Sequence, residues 1–221
     1  MAVVRATFAE IMIGTDCALP TLNSAIAFRR APATLNPMPT ALAAAVLLAA
    51  LLTLQGSATP FDGIANVRVE EYAVTGRSVA AIRRSIDAAR PTDPNDGKRV
   101  DGLSRWNINW RWRRDAAGTC STTLDNIGFE AVVTVPRLAD PDVPARVRAQ
   151  FDRYLATLLK HEEGHVRYAW DHRGEVADAI NAAGCDGIKD AGMGAVRRIA
   201  EHDVAYDKAT RHGADIITPF H

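Results

Sequence analysis

Between Pro144 and Ala183 the chain carries no proline, and Val147, Phe151, Leu155, Leu158, Leu159 and Val166 recur along it. That spacing puts apolar side chains on one broad face of an α-helix. A helix so long cannot leave the face in water, so the face must pack against a second layer. Gly184-Cys185 offers a natural stop, and a last helix is predicted from about Gly194 to Arg211, closed by Gly213 after His212.

The second layer is legible upstream. Val67 to Thr75 alternates and is rich enough in β-branched residues for a strand. Gly76 and Arg77 then turn the chain, and Ser78 is a helix N-cap for Val79 to Ala89, whose Val79, Ile82, Ile86 and Ala89 keep helical spacing. Pro91 to Gly102 is a polar loop. Trp106, Ile108, Trp110 and Trp112 then fall on every second position, with Arg and Asn between them. Such a stripe can bind carbohydrate, but large aromatics on one face of a strand usually serve burial, and it is read here as core. After a turn at Asp115 to Gly118, strand character is predicted from Cys120 to Val135, ending at Pro136. The expectation is an α+β fold: a small antiparallel sheet of three or four strands against a long helix and a C-terminal helix.

Residues 1–58 read differently. Residues 41–54 (ALAAAVLLAALLTL) form an uncharged apolar run too short for a membrane span, which needs about 20 residues, and suited to the core of a signal peptide. Gly56-Ser57-Ala58 follows, placing cleavage after Ala58, and Arg29-Arg30 supply the basic segment upstream. Met12 and Met38 are alternative starts within or just after the irregular stretch 1–37. The leader holds three of the arginines and two of the acidic residues, leaving 23 basic and 24 acidic residues in 59–221. That balance gives no basic surface for nucleic acid, and no stable membrane span is expected once the leader is removed. Cys17 lies in the leader, and Cys120 and Cys185 form an even pair, so a secreted or periplasmic location favours a disulfide between them.

His161-Glu162-Glu163-Gly164-His165 lies inside the long helix. Residues four apart share a face, so both imidazoles can reach one metal ion, and Glu162 stands beside that face as a base for an activated water. Gly164 is costly in a helix interior, by about 1 kcal/mol against alanine. Close approach of a strand, a substrate or another helix would account for it. Catalytic zinc sites usually take three protein ligands. His172 shares the face, but seven residues of helix put it about 10 Å beyond His165. The last helix offers His202, Asp203, Asp207 and His212 instead, with Asp203 and Asp207 one turn apart.

Tyr72-Ala-Val-Thr-Gly76, Trp106-Asn-Ile-Asn-Trp110, Leu159-Lys-His-Glu-Glu-Gly-His165 and Tyr206-Asp-Lys-Ala-Thr-Arg-His-Gly213 follow one another in that order. Together they resemble a bacterial family of predicted secreted zinc-dependent proteases, also described as a domain of unknown function, over about residues 65–213. The resemblance implies metallopeptidase roles for His161, Glu162 and His165, and it singles out Asp207 and His212 as the late residues that join the site. Where relatives carry a glutamine-containing turn, this chain continues Ala214-Asp215-Ile216-Ile217.

The expectation is therefore a zinc ion held by His161, His165 and His212, with Asp207 orienting a histidine or taking the place of His212. Glu162 is the general base for hydrolysis of a peptide or protein substrate, and Tyr206 is a candidate to steady the oxyanion. Two other readings remain open on the motif: a non-catalytic cell-envelope domain with a structural metal, and a zinc hydrolase of a cell-wall amide.

Overall fold

The computed structural model describes residues 59–221 and the backbone of residues 2–7. The apolar run, the cleavage position after Ala58, Met12, Met38 and Cys17 lie outside the described residues. In chain order the elements are β1 (Ala2–Thr7), β2 (Val67–Val74), α1 (Val79–Ala89), β3 (Leu103–Arg114), β4 (Cys120–Ser121), β5 (Ile127–Leu138), α2 (Ala145–His172) and α3 (Gly174–Thr210). β1 falls in the stretch read as leader and pairs antiparallel with β3 from Asn107 to Trp112.

The period-two pattern of β3 decides how the layers stack. Trp106, Ile108 and Trp110 are buried, so the stripe is core. Trp110 lies flat against Gly192 of α3, where any side chain would meet its ring. From the same face of β3, Ser104 reaches Glu162 of α2 and Trp106 reaches Asp203 of α3. Phe129, Ala131, Val133 and Val135 of β5, with Phe151, Leu158, Val166, Ile180 and Ile199 of the helices, complete this core.

The sheet runs β1-β3-β5-β2, with β4 paired to the end of β3. β3 is antiparallel to β5, as the sequence suggested, and also to β1, a strand that the sequence reading did not foresee. β2, however, is parallel to β5, in register from Val67 opposite Ala131 to Val74 opposite Leu138. The reason is the crossover: α1 and the loop after it carry the chain past β5 before β3 begins, which leaves β2 on the far edge of β5. Ser78 caps α1 as expected, its Oγ accepting from Ala81 N at 3.3 Å.

The boundaries around β4 and β5 differ from the sequence reading, and β5 runs through Pro136 to Leu138. The stretch from Cys120 to Val135 is not one strand: β4 ends at Ser121, and a 3-10 turn at Leu124–Asn126 precedes β5. The break belongs to tertiary contacts with α3. Cys120 is disulfide-bonded to Cys185, and Asn181 exchanges hydrogen bonds of 2.8 and 3.2 Å with the backbone of Thr122. A bridge across 65 residues of chain is worth about 4 kcal/mol on the loop-entropy estimate. The helical stretch after Pro144 runs through Arg173, whose φ −59° and ψ −22° are helical, and breaks at Gly184, as the sequence reading expected. Gly184, at φ +68°, is a kink inside α3. The break at Gly184 sends the second half of α3 back along α2, bringing Asp203, Tyr206 and Asp207 against His161, Gly164 and His165. No helix among the described residues is long and apolar enough to cross a membrane.

Candidate metal centre

His161 and His165 project from one face of α2, and both are buried. Their Nε2 atoms each lie 3.2 Å from the same Oδ1 of Asp207, which α3 delivers from the opposite side. One ligand atom from each of these three residues lies within 4.8 Å of the others. Asp207, rather than His212, thus completes a set of two imidazoles and one carboxylate. Two nitrogens and one oxygen are the donor chemistry of catalytic zinc sites that keep a coordination position open. By that test the residues fit the metal that the motif implies.

Behind this set stands Asp203, only 8% exposed. Its Oδ1 is 3.2 Å from Nδ1 of His165, and its Oδ2 accepts the Trp106 indole N–H at 2.7 Å. A carboxylate on Nδ1 holds a proton there, so that Nε2, on the Asp207 side, is the nitrogen that would face a metal. His161 has no such support, since its buried Nδ1 lacks a hydrogen-bond partner among the described residues.

The charges in this cluster hold one another. Burial alone would lower the pKa of His165, but its hydrogen bonds to Asp203 and Asp207 prevail and push it up to about 10. Burial likewise opposes ionisation of Asp207, yet its hydrogen bonds with His161 and His165 keep it well below the usual carboxylate range. Glu162, 3% exposed, goes the other way. Its desolvation outweighs the nearby histidines and the Ser104 hydrogen bond, and its pKa is raised. A carboxylate with raised pKa is a better proton acceptor. Ser104 Oγ donates to Glu162 Oε2 at 2.7 Å, and Gly102 leaves room that any side chain would take from the Glu162 carboxyl.

Gly164 has its explanation in the second helix. A Cβ there would stand 2.7 Å from the Tyr206 hydroxyl and 2.8 Å from its Cζ. The Tyr206 ring stacks on His161 with centroids 5.1 Å apart and meets His165 edge-on at 5.0 Å. Tyr206 is therefore a packing partner of both histidines, and the cleft wall does not include it.

His212 is brought close, but not into the three-residue set. Its Nδ1 is 3.7 Å from Oδ2 of Asp207, and its Nε2 is 3.2 Å from Lys98 Nζ. The left-handed backbone of Arg211, His212 and Gly213, at φ 52°, 53° and 79°, turns the chain there. His172 pairs with Glu175 at 2.6 Å, and His202 stacks on Tyr168, so neither joins the site.

A cleft of about 680 Å³ opens over these groups. Its walls include Glu162, His161, His165, Asp207, Asp93 and the segment after His212. Phe220 of that segment is buried against Phe151 and Tyr154, with ring centroids 5.6 and 5.5 Å away. The sequence reading passed over Asp203 as the residue that orients His165, and over Ser104 and Gly102 as parts of the site. Only the one-turn spacing of Asp203 and Asp207 hinted at the first, because the partners of Asp203 lie 38 and 97 residues away.

Residues 69–213 match the family described as bacterial protein of unknown function (DUF922), and the chain belongs to that family. No curated protein and no solved structure matches the chain.

Proposed function

We propose that this member of a bacterial family of unknown function is an exported zinc-dependent peptidase with Glu162 as its general base. The observation that carries the reading is the convergence of His161 Nε2 and His165 Nε2 on one Asp207 oxygen, at 3.2 Å each, beside the buried Glu162. A bound zinc ion supplies Lewis acidity, which lowers the pKa of water and polarises a carbonyl. The rest is the work of the protein. Asp203 fixes the proton of His165 on Nδ1. Ser104 and the bare backbone at Gly102 hold the Glu162 carboxylate in one place. Glu162 takes the proton of the attacking water and hands it to the leaving amine, a transfer that its raised pKa favours. The Cys120–Cys185 disulfide and the apolar run at 41–54 support export to a compartment outside the cytoplasm.

Glu162→Gln tests this directly. It keeps the size of the side chain and the Ser104 contact but cannot accept the proton. Hydrolysis of an unstructured protein substrate is expected to fall by about a thousandfold, within the usual range for loss of a general base, while zinc content stays at the wild-type level. Wild-type turnover in Glu162→Gln would remove Glu162 from the mechanism.

A further inference from the structure

Asp207 has two oxygens, and the zinc centre proposed above uses one. The other belongs to a second group. Asp93, Asp207 and His212 each offer a ligand atom within 4.8 Å of the others, and all three line the cleft. Asp93 comes from the loop between α1 and β3 and is 5% exposed. Its Oδ1 accepts the Asn95 backbone N–H at 2.8 Å. Among the described residues its other oxygen has neither a hydrogen bond nor an ion pair. A buried carboxylate with a free oxygen, grouped within 4.8 Å of a second carboxylate and an imidazole, is an arrangement that a cation between them would stabilise.

His212 supplies the nitrogen that distinguishes this group from a plain acidic cluster. Its Nδ1 faces Oδ2 of Asp207 at 3.7 Å, while its Nε2 lies 3.2 Å from Lys98 Nζ and 3.6 Å from Oδ2 of Asp96, on the side away from Asp207. Lys98, the nearby cation, pairs with Asp96 at 2.8 Å and is 63% exposed. It is not part of the cleft wall, so it does not fill the space between Asp93, Asp207 and His212.

We propose that Asp93, Asp207 and His212 bind a second divalent cation, with Asp207 bridging it to the zinc centre. This rests on the first site only in sharing Asp207. Two oxygens and one imidazole suit zinc or manganese.

The test is metal stoichiometry, measured by elemental analysis after equilibrium dialysis of the folded chain against zinc alone. Wild type is expected to hold two equivalents, and Asp93→Asn and His212→Ala one each. Asp93→Asn keeps an acceptor for the Asn95 N–H and so leaves the loop intact. A wild type that saturates at one equivalent overturns the second site and leaves the first standing. A wild type that holds none overturns both. Two equivalents retained in either variant also overturns the assignment, because the cation would then lie elsewhere.

Discussion

Gly164→Ala sets helix propensity against tertiary packing, and the two predict opposite signs. Alanine in a helix interior is better than glycine by about 1 kcal/mol, so a solvent-facing site would be stabilised. Here the new methyl would stand 2.7–2.9 Å from three atoms of the Tyr206 ring and hydroxyl. Relief requires Tyr206 to move, yet that ring is held on His161 and His165. Overpacking of this kind costs about 1–3 kcal/mol. The expected net loss is about 1 kcal/mol, or some 2–4 °C in the melting temperature of a domain this size. Urea denaturation in the presence of a chelator reads it without interference from metal binding. The decisive comparison is the same change in a Tyr206→Ala background. With the ring gone, Gly164→Ala should be neutral or stabilising by up to about 1 kcal/mol, giving a coupling between the sites of about 1–2 kcal/mol. Stabilisation by Gly164→Ala in the wild-type background would refute the claim that Tyr206 explains the glycine.

Asp203→Asn should weaken zinc binding by about 10–100-fold, the usual effect of losing a carboxylate behind a ligand histidine, as read by competition with a chromogenic chelator; unchanged affinity would show that Asp203 merely packs. In the metal-free protein His165 has its pKa raised from 6.5 to about 10, so its ion pair contributes fully below pH 6.5 and is lost as pH rises toward 10. Chelated wild type should therefore lose stability to urea over that window beyond any loss shown by His165→Ala, and parallel curves for the two proteins would contradict the pairing.

Legibility in the sequence followed the range of the interactions. The Ser78 cap and the stripe of Trp106, Ile108 and Trp110 are local patterns, and the structure repeats them. The disulfide was readable from the count of cysteines outside the leader and their compartment. His161, Glu162 and His165 share one turn of helix, so their common face followed from spacing alone. What spacing could not reach was the other side of the site. The sequence reading put His212 first and left Asp207 as the alternative; the fold places Asp207 against both histidines and turns His212 toward Lys98. That outcome depends on the register in which the chain returns along α2 after Gly184, which the glycine announces but does not specify. The parallel pairing of β2 with β5 was hidden for the same reason, since it depends on where the α1 crossover delivers the chain.

The most direct test of the zinc centre is retention of a single equivalent of zinc after exhaustive dialysis of wild type, His165→Ala and Asp207→Ala. The site of His161, His165 and Asp207 predicts that wild type keeps the ion and that both variants lose it. Full retention of that equivalent by Asp207→Ala would contradict the ligand set on which the proposed function stands.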